Sequence, residues 1–152
     1  MDTREEAFRL LKEAEEDLKR AVRYAEFQDW VTVVLYAQLA TEKAAKSVIA
    51  CFEAFEWTHN PSGQLRRLVN RGLLPDSFLE MAADVRKAAP WHGRSTYGAL
   101  MEGRWRSPSE ICTEEVAQAL LEGARRAVRQ AVAFVPVFFG GEDESGGSGT
   151  GR

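Results

Sequence analysis

No stretch of the chain approaches 18 uncharged apolar residues, and the opening MDTREEAFRLLKEAEEDLKR is charged from its second position. The first absence argues against a membrane-crossing helix and the second against an apolar signal-peptide core, so the chain is expected to be cytoplasmic. Cysteine is scarce: Cys51 and Cys112 stand far apart with no CxxC spacing. Two thiols so placed make neither a disulfide framework nor a zinc site, and both are read as reduced.

Histidine is as rare, with His59 and His92 only. Only one Glu-x-x-His spacing occurs, Glu56 to His59, where a carboxylate-bridged di-iron centre needs two on facing helices, and neither histidine has the surroundings of a nucleophile elbow. GxxxxGK[ST] and GxGxxG are missing, so neither familiar phosphate-cradling glycine loop is present. No cofactor and no metal are expected. An excess of positive charge is missing too: 20 Lys and Arg against 23 Asp and Glu give a net −3 and a pI near 5.5. That balance argues against a surface coated in cations for bulk nucleic-acid binding, but it leaves room for a local basic patch.

What is present is one domain's worth of core. A chain of 152 residues with 45% apolar composition suits a single domain, expected over residues 1–138, followed by a disordered Gly/Ser/acidic tail over 139–152. From Arg4 to about Phe27, Ala7, Leu11, Ala14, Leu18, Ala21 and Ala25 recur at intervals of 4, 3, 4, 3 and 4, with Glu, Lys and Arg opposite. This is the stripe of an amphipathic helix. The β-branched run DWVTVV could pass for a strand, but Asp29 to Phe55 contains neither Gly nor Pro, and its length predicts one long helix with Asp29 as N-cap. Its first half is apolar nearly all round, as in the middle helix of a bundle.

Asn60-Pro61 predicts a short helix closed by Gly72, and Pro75-Asp76 a second one ended by Pro90. Thr113 caps a last long helix whose stripe is Val116, Leu120, Ala124, Ala127, Ala131 and Phe134, stopped by Pro136. The sum is an all-α, up-down bundle of three long and two short helices, of the four-helix-bundle type. Between the last two helices, residues 89 to 112 read as a loop well beyond the usual limit of about 12 to 15 residues, and loops that long are often functional.

That loop and the helix turn before it hold the candidate ligand residues. Arg86, Lys87, Arg94, Arg104 and Arg106 face Glu102 alone between positions 86 and 106, with Trp91, Tyr97 and Trp105 interleaved. Guanidinium groups pair with phosphate oxygens and rings offer a face for a base, so Trp91, Arg94, Tyr97 and Arg104 are candidates for binding a nucleotide or RNA. The alternative is structural: tryptophans that clip a loop to the core and arginines that solubilise it. On the second helix, Gln38, Glu42 and Lys46 share a face at four-residue intervals. They are either a solvated i,i+4 strip or the polar edge of a cleft, with Lys46 as a further ligand residue. His59 reads as a helix-entry or core residue.

Several segments resemble one family. LYAQLATEKAAKSVIA (35–50), with Gln38, Glu42, Lys43 and Lys46 in place, looks like the second-helix signature of HEPN domains. His59 followed by Leu65 and Leu68, GRSTYG (93–98), and EICTEEVAQALLEGARRAV (110–128) are similar to later segments of that family, in the same order. The His is followed here by Asn-Pro-Ser-Gly, a longer link than usual, and two residues separate Arg94 from Tyr97 where the family often has them adjacent. The resemblance implies a helical bundle that commonly dimerises and binds nucleotide or RNA. In prokaryotes such a protein is often encoded beside a small nucleotidyltransferase as a toxin-antitoxin or defence pair. In the ribonuclease branch of the family an Arg, four to six residues and a His form the active site, and Arg86 with His92 fits that window. His92 would then move the proton of a ribose 2′-hydroxyl without a metal, and Arg86 would stabilise the charge on phosphorus. Three readings follow: a nucleotide- or RNA-binding homodimer that works with a nucleotidyltransferase partner; a metal-independent endoribonuclease; and a helical dimer with a purely structural or interaction role.

Overall fold

The computed structural model describes residues 2–140, and the expected tail lies from residue 141 onward outside the described residues. The elements in chain order are α1 (Thr3–Glu26), α2 (Trp30–Ile49), α3 (Ser62–Asn70), α4 (Phe78–Ala88), α5 (Trp91–Tyr97), β1 (Ala99–Met101), β2 (Arg104–Arg106), α6 (Pro108–Ile111) and α7 (Glu114–Phe138). The all-α bundle read from the sequence is the architecture found, with one small hairpin added. No helix among the described residues is long and apolar enough to cross a membrane.

Helix starts follow their caps. Asp2 accepts from the Arg4 N–H, Asp29 from the Thr32 N–H, and Thr113 from the Val116 N–H, each satisfying a donor that the first turn leaves open. The link at residues 27–29 turns α2 back along α1, and α2 packs against α1, α4, α5 and α7. Being surrounded explains its burial pattern: Val33, Val34, Ala37, Ala40, Ala44, Ala45, Val48 and Ile49 have no accessible surface at all. Two ion pairs tie helices together through nearly buried carboxylates. Asp17 on α1 takes Lys43 of α2 at 2.7 Å, and Asp84 on α4 takes Arg126 of α7 through two hydrogen bonds of 2.8 and 3.2 Å.

Four expectations need correction. The second helix ends at Ile49, not Phe55: the Cys51 and Phe52 N–H groups bond three residues back, tightening the chain into a turn. The turn lets Phe52 meet Phe134 and Phe138 of α7, with ring centroids 6.2 and 4.8 Å away, which a straight continuation would forgo. The short helix after it starts at Ser62, with Pro61 in the capping position, and Asn60 accepts from the Ser62 N–H and hydroxyl instead of capping directly.

Pro136 does not stop α7 but lies inside it. The carbonyl it deprives of a partner belongs to Val132, on an exposed part of the helix, and the turn beyond is held by Phe138 and Phe139 packed on Phe52 and Phe8. Residues 89–112 are not a loop either. Pro90 stands at the head of α5, where a missing N–H costs nothing, so α5 follows α4 almost without interruption. A hairpin follows, with Ala99, Leu100 and Met101 opposite Arg106, Trp105 and Arg104. Its two-residue turn, Glu102-Gly103, has φ of 53° and 80°, the positive pair that matches strand twist in a tight hairpin. Gly98, at φ 83°, enters it so closely that a Cβ would lie 2.1 Å from the Arg106 carbonyl oxygen.

Candidate functional site

The polar residues of α2 are where the fold becomes costly. Gln38, Glu42 and Lys46 are all buried in the most enclosed helix of the bundle. Gln38 Nε2 donates to Glu42 Oε1 at 2.8 Å, and Lys46 Nζ donates to Glu42 Oε2 at 2.9 Å, so one carboxylate gathers both neighbours. The Lys46 ammonium also stands 5.0 Å from the centre of the Phe55 ring. Burial by itself would raise the Glu42 carboxyl, but the hydrogen bonds from Lys46 and Gln38 outweigh it and hold the group below its ordinary value.

Both histidines of the chain come to this strip. His92, in the first turn of α5, places Nδ1 3.0 Å from Gln38 Oε1, and His59, from the link between α2 and α3, places Nδ1 3.1 Å from Glu42 Oε1. The two imidazoles stack with centroids 3.7 Å apart and planes 19° from parallel. The network assigns their tautomers. Gln38 spends its amide N–H on Glu42, so its oxygen accepts, and Glu42 is an acceptor only; each imidazole must therefore donate from Nδ1. In the neutral rings Nε2 keeps its lone pair. Desolvation, followed by the neighbouring His59, pushes the His92 imidazole below its ordinary value, although the Glu42 charge acts the other way.

Glu42 and Lys46 also line a cavity of about 490 Å³ between α1 and α2, together with Glu6, Lys43, Phe55 and Trp57. Its cations are all engaged: Lys43 by Asp17, Lys46 by Glu42, and Arg9, also on the wall, by Glu6. Phe55 and Trp57 meet edge to face at 5.7 Å, and Trp57 is almost wholly exposed.

Of the residues singled out in the sequence, His92 and Lys46 are brought to opposite ends of one hydrogen-bonded chain. Trp91 is half-buried under the Arg94 guanidinium, 5.0 Å from the ring centre, beside His92 on α5. Arg86 lies exposed in the last turn of α4. Tyr97 and Trp105 are exposed and meet where the Trp105 indole N–H donates to the Tyr97 carbonyl. Arg104 pairs with Glu110 at 3.5 Å and Arg106 with Glu102 at 2.8 Å, which neutralises part of the local positive charge. Among the described residues Arg86, Lys87 and Arg94 have no carboxylate partner.

The sequence reading missed Gln38, Glu42 and His59 as a constellation. The signal was there in part: Gln38, Glu42 and Lys46 at i, i+4 and i+8 share one face of a helix whose first half is apolar nearly all round. His59 is also no core residue, since its side chain is 59% exposed. The two cysteines stay apart and buried, and burial pushes the Cys51 thiol up to about 12. When the chain is compared with known proteins, the family model of the HEPN domain matches residues 7–133. No curated protein and no solved structure matches it.

Proposed function

The chain belongs to the HEPN domain family, and from that premise we propose that it is a nucleotide- or RNA-binding module, dimeric, acting with a small nucleotidyltransferase in a toxin-antitoxin or defence-type pair. One observation carries the binding part. Among the described residues Arg86, Lys87 and Arg94 have no carboxylate partner; Arg94 lies over the Trp91 ring two residues from His92 of the imidazole pair, and Arg86 and Lys87 precede the Pro90 joint in the chain. Phosphate oxygens satisfy unpaired guanidinium groups, imidazole edges accept hydroxyl protons, and the exposed Tyr97 and Trp105 rings give bases a stacking face. A buried charged network such as Gln38–Glu42–Lys46 is a poor source of stability, and its link to His92 through Gln38 favours a site over scaffolding. The partner and the dimer rest on family membership alone.

Anisotropy titration of fluorescent ATP and of a short single-stranded RNA at low salt tests the reading. Three phosphate contacts predict that the logarithm of the affinity for RNA falls with that of salt at a slope of about −2, and Arg94→Ala should make it shallower. Absence of binding at millimolar nucleotide refutes the proposal.

The ribonuclease reading has its own support. A His92 kept neutral, with Nδ1–H held by Gln38 and Nε2 free, is in the form that a general base requires. Incubating RNA in EDTA with wild type and with His92→Ala decides it: cleavage lost in the variant is the expected result, and equal cleavage, or none by either, removes the reading.

A further inference from the structure

We propose that Glu42, His59 and His92 form a binding site for one divalent first-row transition ion of the zinc class. Three separate elements deliver the donors: α2, the link to α3, and α5. One oxygen or nitrogen from each lies within 4.8 Å of the others. Around a tetrahedral zinc ion, with bonds of about 2.0 to 2.2 Å, such atoms stand about 3.4 Å apart. His59 Nδ1 and Glu42 Oε1 stand 3.1 Å apart, close to that spacing, so what is needed is a shift of the His59 proton to Nε2, a small inward movement and a turn of the rings. The exposed His59, on an irregular segment, is the group free to make it. Binding opens the ring stack, because lone pairs on parallel imidazoles do not converge on one point.

The surroundings suit an ion as well as the donors do. Metal-bound imidazoles are commonly oriented by a hydrogen bond to the other ring nitrogen, and Gln38 Oε1 already holds His92 Nδ1, leaving Nε2 as the donor. Lys46 holds Glu42 by Oε2, and Oε1, which accepts from Gln38, keeps a further lone pair on the side of the His59 ring. Two nitrogens and one oxygen favour zinc, cobalt, nickel or copper over magnesium or calcium, which prefer oxygen alone. Three protein donors leave a fourth position for water or a ligand atom. The Lys46 charge offsets that of Glu42, so the ion enters a site with no net charge and binds with moderate affinity. The site does not depend on the nucleotide reading, since RNA binding in EDTA and metal binding without RNA are measured separately.

The test uses the full chain, free of any histidine tag and stripped with EDTA. Calorimetry with zinc should give one ion per chain, and cobalt should give the visible bands of a four- or five-coordinate ion without a thiolate charge-transfer band. His59→Ala, a change on the surface, and His92→Ala should each weaken binding by at least about tenfold, with circular dichroism confirming the fold. The proposal is overturned by no binding up to millimolar zinc, by unchanged affinity in His59→Ala, or by a thiolate band that puts the ion on Cys51 or Cys112.

Discussion

Replacing Lys46 by methionine removes one charge from the interior and leaves its partner behind. The Nζ–Oε2 separation is 2.9 Å and both side chains are 9% exposed. At an effective dielectric of about 20, a pair at that distance attracts by about 6 kcal/mol, against a desolvation cost of several kcal/mol for each ion. The intact pair therefore adds little, but a lone buried carboxylate keeps its desolvation cost without the attraction. Glu42 retains hydrogen bonds from Gln38 and His59, so the expected loss is about 3 kcal/mol, the lower end for breaking such a pair. With a urea m-value of about 1.5 to 2 kcal/mol/M, the unfolding midpoint falls by about 1.5 to 2 M. Glu42→Gln alone strands the ammonium and should cost a similar amount, whereas Glu42→Gln with Lys46→Met should cost clearly less than the sum, with a coupling of at least about 1.5 kcal/mol. Urea unfolding of all four proteins, followed by circular dichroism at pH 7.5, measures the cycle. If the two single costs simply add, Glu42 and Lys46 do not act as a unit, and the description of the strip as one charge-compensated chain is wrong.

Two further predictions test other parts of the structure. The His92 imidazole is depressed in the folded protein, so the unfolded chain takes up protons first as pH falls; stability present above about pH 6.5 is lost below it. Thermal unfolding in EDTA should show that decline, and His92→Gln should flatten the part due to this residue; an unchanged profile in the variant contradicts the assignment. Gly98→Ala forces a Cβ onto the Arg106 carbonyl at an unfavourable φ and should cost at least about 2 kcal/mol. Gly103→Ala, also at positive φ but with open space around it, should cost only about 1 kcal/mol, and equal losses would show that the close approach at Gly98 is not what requires glycine there.

How far the sequence could be read depended on the range of the interaction involved. Asp29 and Thr113 cap the helices predicted for them because a cap bonds within three residues of itself. The stripe of α1 was visible for a similar reason: one helix repeats its buried face every three or four residues, whatever packs against it. Pro136 misled: it is a local breaker, yet it sits inside α7 because ring packing beyond it offsets the penalty. Pro90 does close α4, but no loop follows, because a proline costs little at the head of α5. The hairpin at residues 99–106 was hidden because three-residue strands are too short to show alternation.

The site divides along the same line. That Gln38, Glu42 and Lys46 share a face followed from helical periodicity, but whether the face met water depended on the packing of neighbouring helices around α2. His59 and His92, 33 positions apart, have no pattern that joins them; only the turn after Ile49 and the Pro90 joint bring their rings to 3.7 Å. The sequence by itself determined the helical class, the family signature and the faces of the long helices, since these are written in spacings shorter than two turns. The tertiary structure alone decided which polar groups lost water and which imidazoles met, because desolvation and contact across distant segments are properties of the assembled bundle.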